Sequence, residues 1–451
     1  MVLSALGVFM SCSKNDISND ASYQLDFSVD TLRFDTVFTE LGSATKRLMV
    51  YNPNKKKVRS QIILSGKETP FRFNIDGRPV ENTCNVEIAA EDSMYIFVEA
   101  TIHPLNDEWP VLVTDSVIFE TNGNRQKVLT EAYGQDVFIL RDDTIQSQVW
   151  QGNKPYLIYG RLVVDSLHTL KIGPGVKVHM YQGADLLVKG SLVAEGTTEE
   201  PVIFSGSRTE VLYDDIPGQW GSIIFSTTSR DNILRNVYIR NGTNGILLST
   251  SSYDAVPYLL LDAVVIRDMS YSCLMTFSSD LDAYNCLIAN CGYYTTGLFG
   301  GGTSRFTHCT MVNNYSAYTR RKSIPVLSIS HAYPPEGTEN KTGIPLAVTV
   351  NNSIIYGTLN NELLPGNDVD YKFHHCLLRT TINSPFFENV LTQANPLFID
   401  PIGGNFRLEE TSPARNAGDI IISESIPLDL DGNNRILDGK PDLGAYEWKS
   451  E

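Results

Sequence analysis

Six short segments decide the fold: "NVYIRN" from Asn236, "AVVIRD" from Ala263, "NCLIAN" from Asn285, "HCTMVN" from His308, "NSIIYG" from Asn352 and "HCLLRT" from His375. Their starts step by 27, 22, 23, 44 and 23 residues, and 44 is close to two steps. A period of this size marks units that cannot bury their own apolar face and must stack on the next. The second position holds Val237, Val264, Cys286, Cys309, Ser353 and Cys376; the fourth holds Ile239, Ile266, Ile288, Met311, Ile355 and Leu378. Residues two apart share one face of a strand, so both columns point into one interior. The sixth position is Asn241, Asp268, Asn290 and Asn313, then Gly357 and Thr380. It suits a tight turn with left-handed backbone, and stacked Asn side chains there are expected to hydrogen-bond from rung to rung. Leucine-rich repeats share the period but carry an L-x-x-L-x-L signature that is absent here. The pattern predicts a parallel β-helix.

The columns also account for the cysteines. Cys286, Cys309 and Cys376 fall in one inward column, where a thiol packs as a small hydrophobe and is inert. Neither these nor Cys84, Cys273 and Cys291 show a CxxC or Cys/His metal spacing.

Upstream, the pattern changes to strict alternation. In "YIFVEATI" the apolar set is Ile96, Val98, Ala100 and Ile102; in "FRFNI" it is Phe71, Phe73 and Ile75. "IDGR" and "TNGN" between such runs are hairpin signals. Residues 23–140 therefore read as an antiparallel, Ig-like β-sandwich, and 148–448 as the β-helix with a C-terminal cap. A chain of 451 residues, 42% apolar and 20% charged, has room for two such domains. Its net charge of -16 disfavours nucleic acid, which requires a basic face.

The N-terminus carries an apolar run, Val2 to Met10, ending in Ser11-Cys12. It resembles the end of a bacterial lipoprotein signal peptide, although no Lys or Arg precedes Cys12. Acylation of Cys12 would supply the membrane hold that the acidic chain otherwise lacks. Residues 1–22 are then signal and tether, and the protein is an outer-membrane lipoprotein, periplasmic or cell-surface.

"IGPGVKVHM" (Ile172 to Met180), "GSLVAEGTTEEPVIF" (Gly190 to Phe204) and "PGQWGSIIF" (Pro217 to Phe225) resemble the opening rungs of pectate-lyase-like right-handed parallel β-helix proteins. "NPLFIDP" with "NFRLEETSPARNAG", and "DLDGNNR" with "PDLGAYE", resemble the closing rungs of the same superfamily, common in Bacteroidota lipoproteins. The resemblance implies an all-β chain, a β-sandwich followed by a right-handed parallel β-helix. It implies no single activity, because this fold hosts lyases, hydrolases, esterases and adhesins. The G-H-G, R-I-K and N-T-D motifs of the superfamily's hydrolases are absent.

A polysaccharide lyase needs a base and a cation that neutralises the uronate carboxylate. The best basic cluster is Tyr318 to Lys341, inside the 44-residue step. Arg320, Arg321 and His331 are the catalytic candidates there. Arg320, Arg321, Lys322, Tyr318 and Tyr333 are the candidates for binding an anionic sugar. Tyr271, Tyr293 and Tyr294 are further rings on which a sugar can stack. Asp214 and Asp215 read as turn residues, with an acidic role as the other option. The expected function is a non-catalytic envelope protein that binds glycan or protein, the alternative a polysaccharide lyase or related carbohydrate enzyme.

The closing "DLDGNNRILDGKPDLGAYEW" is dense in Asp and Asn. Asp429, Asp431, Asn433 and Asp442 suggest calcium, but Lys440 stands near where an EF-hand needs its closing acid. They are read as a structural cap on the last rung, with Leu443, Ala445 and Tyr446 plugging the core and no cofactor required.

Overall fold

The computed structural model describes residues 16–66, 68–249, 258–314, 321–333 and 343–450. Cys12, Tyr318 and Arg320 lie outside them. The chain divides into two compact units, Met1–Val137 and Phe138–Glu451, so the second unit starts ahead of residue 148.

Among the described residues, the first unit is a sandwich of two five-stranded sheets. One sheet orders the strands Asp26–Phe27, Lys46–Asn52, Asp92–Ala100, Phe71–Ile75 and Arg78–Val80; the other orders Thr31–Phe38, Asn124–Gln135, Val111–Thr121, Val58–Ile63 and Thr83–Ile88. The alternation works as read: Ile96, Val98 and Ala100 are buried, while Phe97 between them is exposed. Asp76-Gly77 and Asn122-Gly123 form the two hairpin turns, all four residues at positive φ, which is the backbone a type I′ turn demands.

The second unit is a parallel β-helix. The chain visits three stacks in turn, beginning with Phe138–Arg141 on the first, Thr144–Ile145 on the second and Gln148–Trp150 on the third, then Tyr156–Tyr159 on the first again. All six repeat segments fall on the first stack. Val237 pairs with Val264, Ile266 with Ile288, Ile288 with Met311, Met311 with Ile355 and Ile355 with Leu378. Every residue of both columns is buried, the three cysteines among them. The sixth position is left-handed at Asn241, Asp268 and Asn290. Asn313 does bond to the rung before it, donating from Nδ2 to the Cys291 carbonyl at 3.1 Å. The sharper corner, however, is the first position. Asn236, Ala263, Asn285, His308, Asn352 and His375 all have φ between 45° and 55°, which turns the chain from the third stack into the first within one residue.

The closing segment corrects the sequence reading. It does not plug the end of the stack. It runs back along the flank of the first stack, where Phe398, Phe406, Leu408, Leu430, Leu443, Ala445 and Tyr446 pack on Val265, Leu287, Ala289, Val312, Ile354 and Leu377. Those partners alternate with the inward columns, so these strands are buried on both faces and read as near-continuous apolar runs. The corner residues hold the segment in place. Arg435 donates to Asn285 Oδ1 at 2.7 Å, His308 Nε2 meets Ser423 Oγ at 2.8 Å and Asn352 Nδ2 donates to the Asp419 carbonyl at 2.9 Å. Gly444, at φ 93°, lies against Thr310, where a Cβ would come within 2.5 Å of its Oγ1.

The acidic residues of this segment are spent on neighbouring donors. Asp429 accepts the backbone N–H groups of Asp431, Asn433 and Glu447 at 3.0, 2.6 and 2.8 Å. Asp442 accepts those of Asn416 and Trp448, both at 2.7 Å. Asp431 forms a bidentate pair with Arg407 at 2.7 Å, and the Asn433 amide donates to Asp429 at 3.0 Å. Buried Arg435 bonds Glu447 at 2.7 Å. Burial pushes the Glu447 carboxyl up to about 8 against the pull of that guanidinium.

Candidate functional site

The basic cluster comes apart in three dimensions. Arg321 is not on a groove: its side chain is 2% exposed and paired with that of Glu362, itself 0% exposed. Its Nη1 also donates to the Asn313 carbonyl at 2.8 Å and to Thr358 Oγ1 at 3.0 Å. Glu362 accepts the backbone N–H groups of Leu359 at 2.7 Å and Val326 at 3.1 Å. This is a buried, bidentate clamp between two loops, not a cation waiting for a carboxylate. His331 is also occupied, with Nδ1 2.9 Å from the Gly300 carbonyl and Nε2 3.1 Å from that of Asp368. The structure does not place these two side chains together at an open cleft.

It does bring the tyrosines together, on the outer face of the second stack. Tyr271 and Tyr293 precede the paired strands Ser272–Phe277 and Tyr294–Phe299. Being one rung apart, their rings stack at 4.6 Å with planes 27° apart. Tyr333 reaches across so that its hydroxyl meets that of Tyr271 at 3.0 Å, and its ring lies edge-on to Phe277 at 5.1 Å. Buried Met275, Tyr294 and Phe299 form the floor. Gly297 makes that floor possible, since a Cβ there would come 2.5 Å from the Phe299 ring. Tyr333 remains 40% exposed. Lys322 is exposed and sets its Nζ 5.9 Å from the centre of the Tyr293 ring.

The result is an aromatic surface with a cation at its edge. Aromatic rings of this kind offer an apolar body and a polar rim, which suits the two-sided character of a sugar ring. Burial, with the bond to Tyr333, pushes the Tyr271 phenol up to about 12. It stays protonated at neutral pH and is poorly suited to act as a general base. Of the sequence-named residues, Lys322 and Tyr333 meet at this face with Tyr271, Tyr293 and Tyr294. The Arg321–Glu362 pair was missed because the partners are 41 residues apart and no local pattern joins them.

No family model matches the chain, and no curated protein matches it. Among solved structures it is similar to PapD-like domain 7 of human CEP192, at 11% identity and TM-score 0.18, over 30% of this chain and 96% of that one. A family 123 glycoside hydrolase from Clostridium perfringens is similar at 7% identity and TM-score 0.19, over 29% of this chain and 30% of that one. The catalytic domain of a GH87 α-1,3-glucanase in complex with nigerose is similar at 10% identity and TM-score 0.16, over 77% and 91% of the two chains. These likenesses are too weak to assign an activity.

Proposed function

We propose that this chain is an exported cell-envelope protein, anchored through acylated Cys12, whose β-helix binds polysaccharide on the tyrosine face without cleaving it. The observation that carries the reading is the set of Tyr271, Tyr293 and Tyr333 on one outer face, with Lys322 beside them. Stacking takes the sugar ring, and the ammonium favours a glycan that bears carboxylates. Of the three groups named for the lyase alternative, Arg321 is sealed in its ion pair and His331 is held between two carbonyls, while Arg320 lies outside the described residues. The anchor is read from the apolar run Val2 to Met10 that ends in Ser11-Cys12.

The test is to incubate purified protein with a panel of uronate-rich and neutral polysaccharides. Retardation in affinity gels and ultraviolet absorbance from unsaturated products are followed together. Retardation without new absorbance supports the reading. Turnover that is lost in His331→Ala would replace it with the lyase. For the anchor, Cys12→Ala is expected to move the protein out of the detergent-extracted membrane fraction.

A further inference from the structure

A second site lies on the outer face of the first stack, away from the tyrosines. The loop joining the strands Val202–Gly206 and Ile223–Phe225 lies against this face and forms with it an open pocket of about 210 Å³. Lys177 and Arg240 line it from the strands, Asp214 and Gln219 from the loop, with Ile203 as an apolar wall. Lys177 is exposed. Arg240 reaches Asp214 only at 3.4 Å, which leaves its guanidinium with donors to spare. Arg208, by contrast, is committed to Glu210 at 2.7 Å and lies over the Tyr213 ring at 3.9 Å.

The Gln219 amide braces the loop that carries Asp214. Its Nε2 donates to the carbonyls of Tyr213 at 2.6 Å and Ile216 at 2.8 Å, which fixes the amide. Its Oε1 is sealed from solvent and has no hydrogen-bond partner. Gly206 is what lets the amide sit there, since a Cβ at that position would be 2.2 Å from Oε1. His179, also on the wall, is held down to about 4 by burial. It is therefore neutral at physiological pH, and the positive charge of the site comes from Lys177 and Arg240.

We propose that this pocket binds one small hydroxylated carboxylate, a sugar acid of no more than hexose size. The carboxylate pairs with Lys177 and Arg240, and a hydroxyl donates to Asp214. Ile203 meets a C–H face. Asp214 selects against a phosphate dianion, whose double charge it repels more strongly than the single charge of a carboxylate. The pocket's 210 Å³ matches a single sugar residue, and its lining is separate from the polysaccharide face.

The experiment is isothermal titration of the full chain with D-glucuronate, D-gluconate, D-glucose and inorganic phosphate. Wild type is expected to bind at least one of the two acids saturably, to ignore glucose and to bind phosphate at least tenfold more weakly. Lys177→Met and Arg240→Gln should each weaken acid binding at least tenfold, while the Tyr271→Ala/Tyr333→Ala double variant keeps it. Melting curves check folding, and if Arg240→Gln does not fold, the exposed Lys177→Met decides alone. No saturable binding of either acid by wild type, unchanged binding in the folded variants, or phosphate or glucose binding as tightly would overturn the proposal.

Discussion

Arg321 shows how one side chain's chemistry depends on a partner far along the chain. In sequence it stands in a basic run beside Lys322, and a basic run reads as a surface. In the fold it closes on Glu362 with both residues out of water. Removing one partner strands the other as a buried charge, which costs about 3–5 kcal/mol. Arg321→Ala is therefore expected to lower stability by that amount in denaturant titration, and Arg321→Ala/Glu362→Leu to recover part of it. An Arg321→Ala protein as stable as wild type would contradict the clamp. The tyrosines were nameable from sequence as aromatics that suit sugar, but their convergence was not. It depends on the rung register that sets Tyr271 beside Tyr293 and on the chain path that returns Tyr333 to them.

At the scale of elements, the inward columns were legible because a repeat writes the same burial at the same position on every rung. The folded-back segment was not, although its signal was present. Val265, Leu287, Val312, Ile354 and Leu377 are apolar at outward positions, and an outward apolar column requires a cover. Phe406 is 1% exposed within that cover, so Phe406→Ala should cost about 3–5 kcal/mol of unfolding free energy. The corners make a pH-dependent claim. His308 is held well below its ordinary 6.5, first by burial and then by Arg435. The unfolded chain takes up this proton near 6.5 and the folded chain does not. The contribution is therefore complete above 6.5 and is lost as pH falls below it, by about 1.4 kcal/mol per unit. Comparing melting at pH 7.5 and 5.5, wild type should lose more stability than His308→Gln. Equal losses would show that the imidazole is not buried neutral.

At the scale of the molecule, the repeat period and the alternation upstream were enough to read a sandwich-like unit followed by a parallel β-helix. What the chain does was less legible, because this fold fixes a scaffold and leaves function to the side chains on its outer faces. The acidic balance, net charge -16, means that an anionic polymer must find a local site against a repulsive background, and Lys322 beside the tyrosine face is the candidate for it. The most direct measurement is affinity electrophoresis of the wild-type chain and the folded Tyr271→Ala/Tyr333→Ala variant in gels containing a uronate-bearing polysaccharide. Absorbance of the same mixtures is read for unsaturated ends. The account predicts that the polysaccharide retards wild type, that the double variant binds about tenfold or more weakly, a loss of about 1.4 kcal/mol or more, and that absorbance stays flat. Equal retardation of the two proteins, or rising absorbance with wild type, would contradict it.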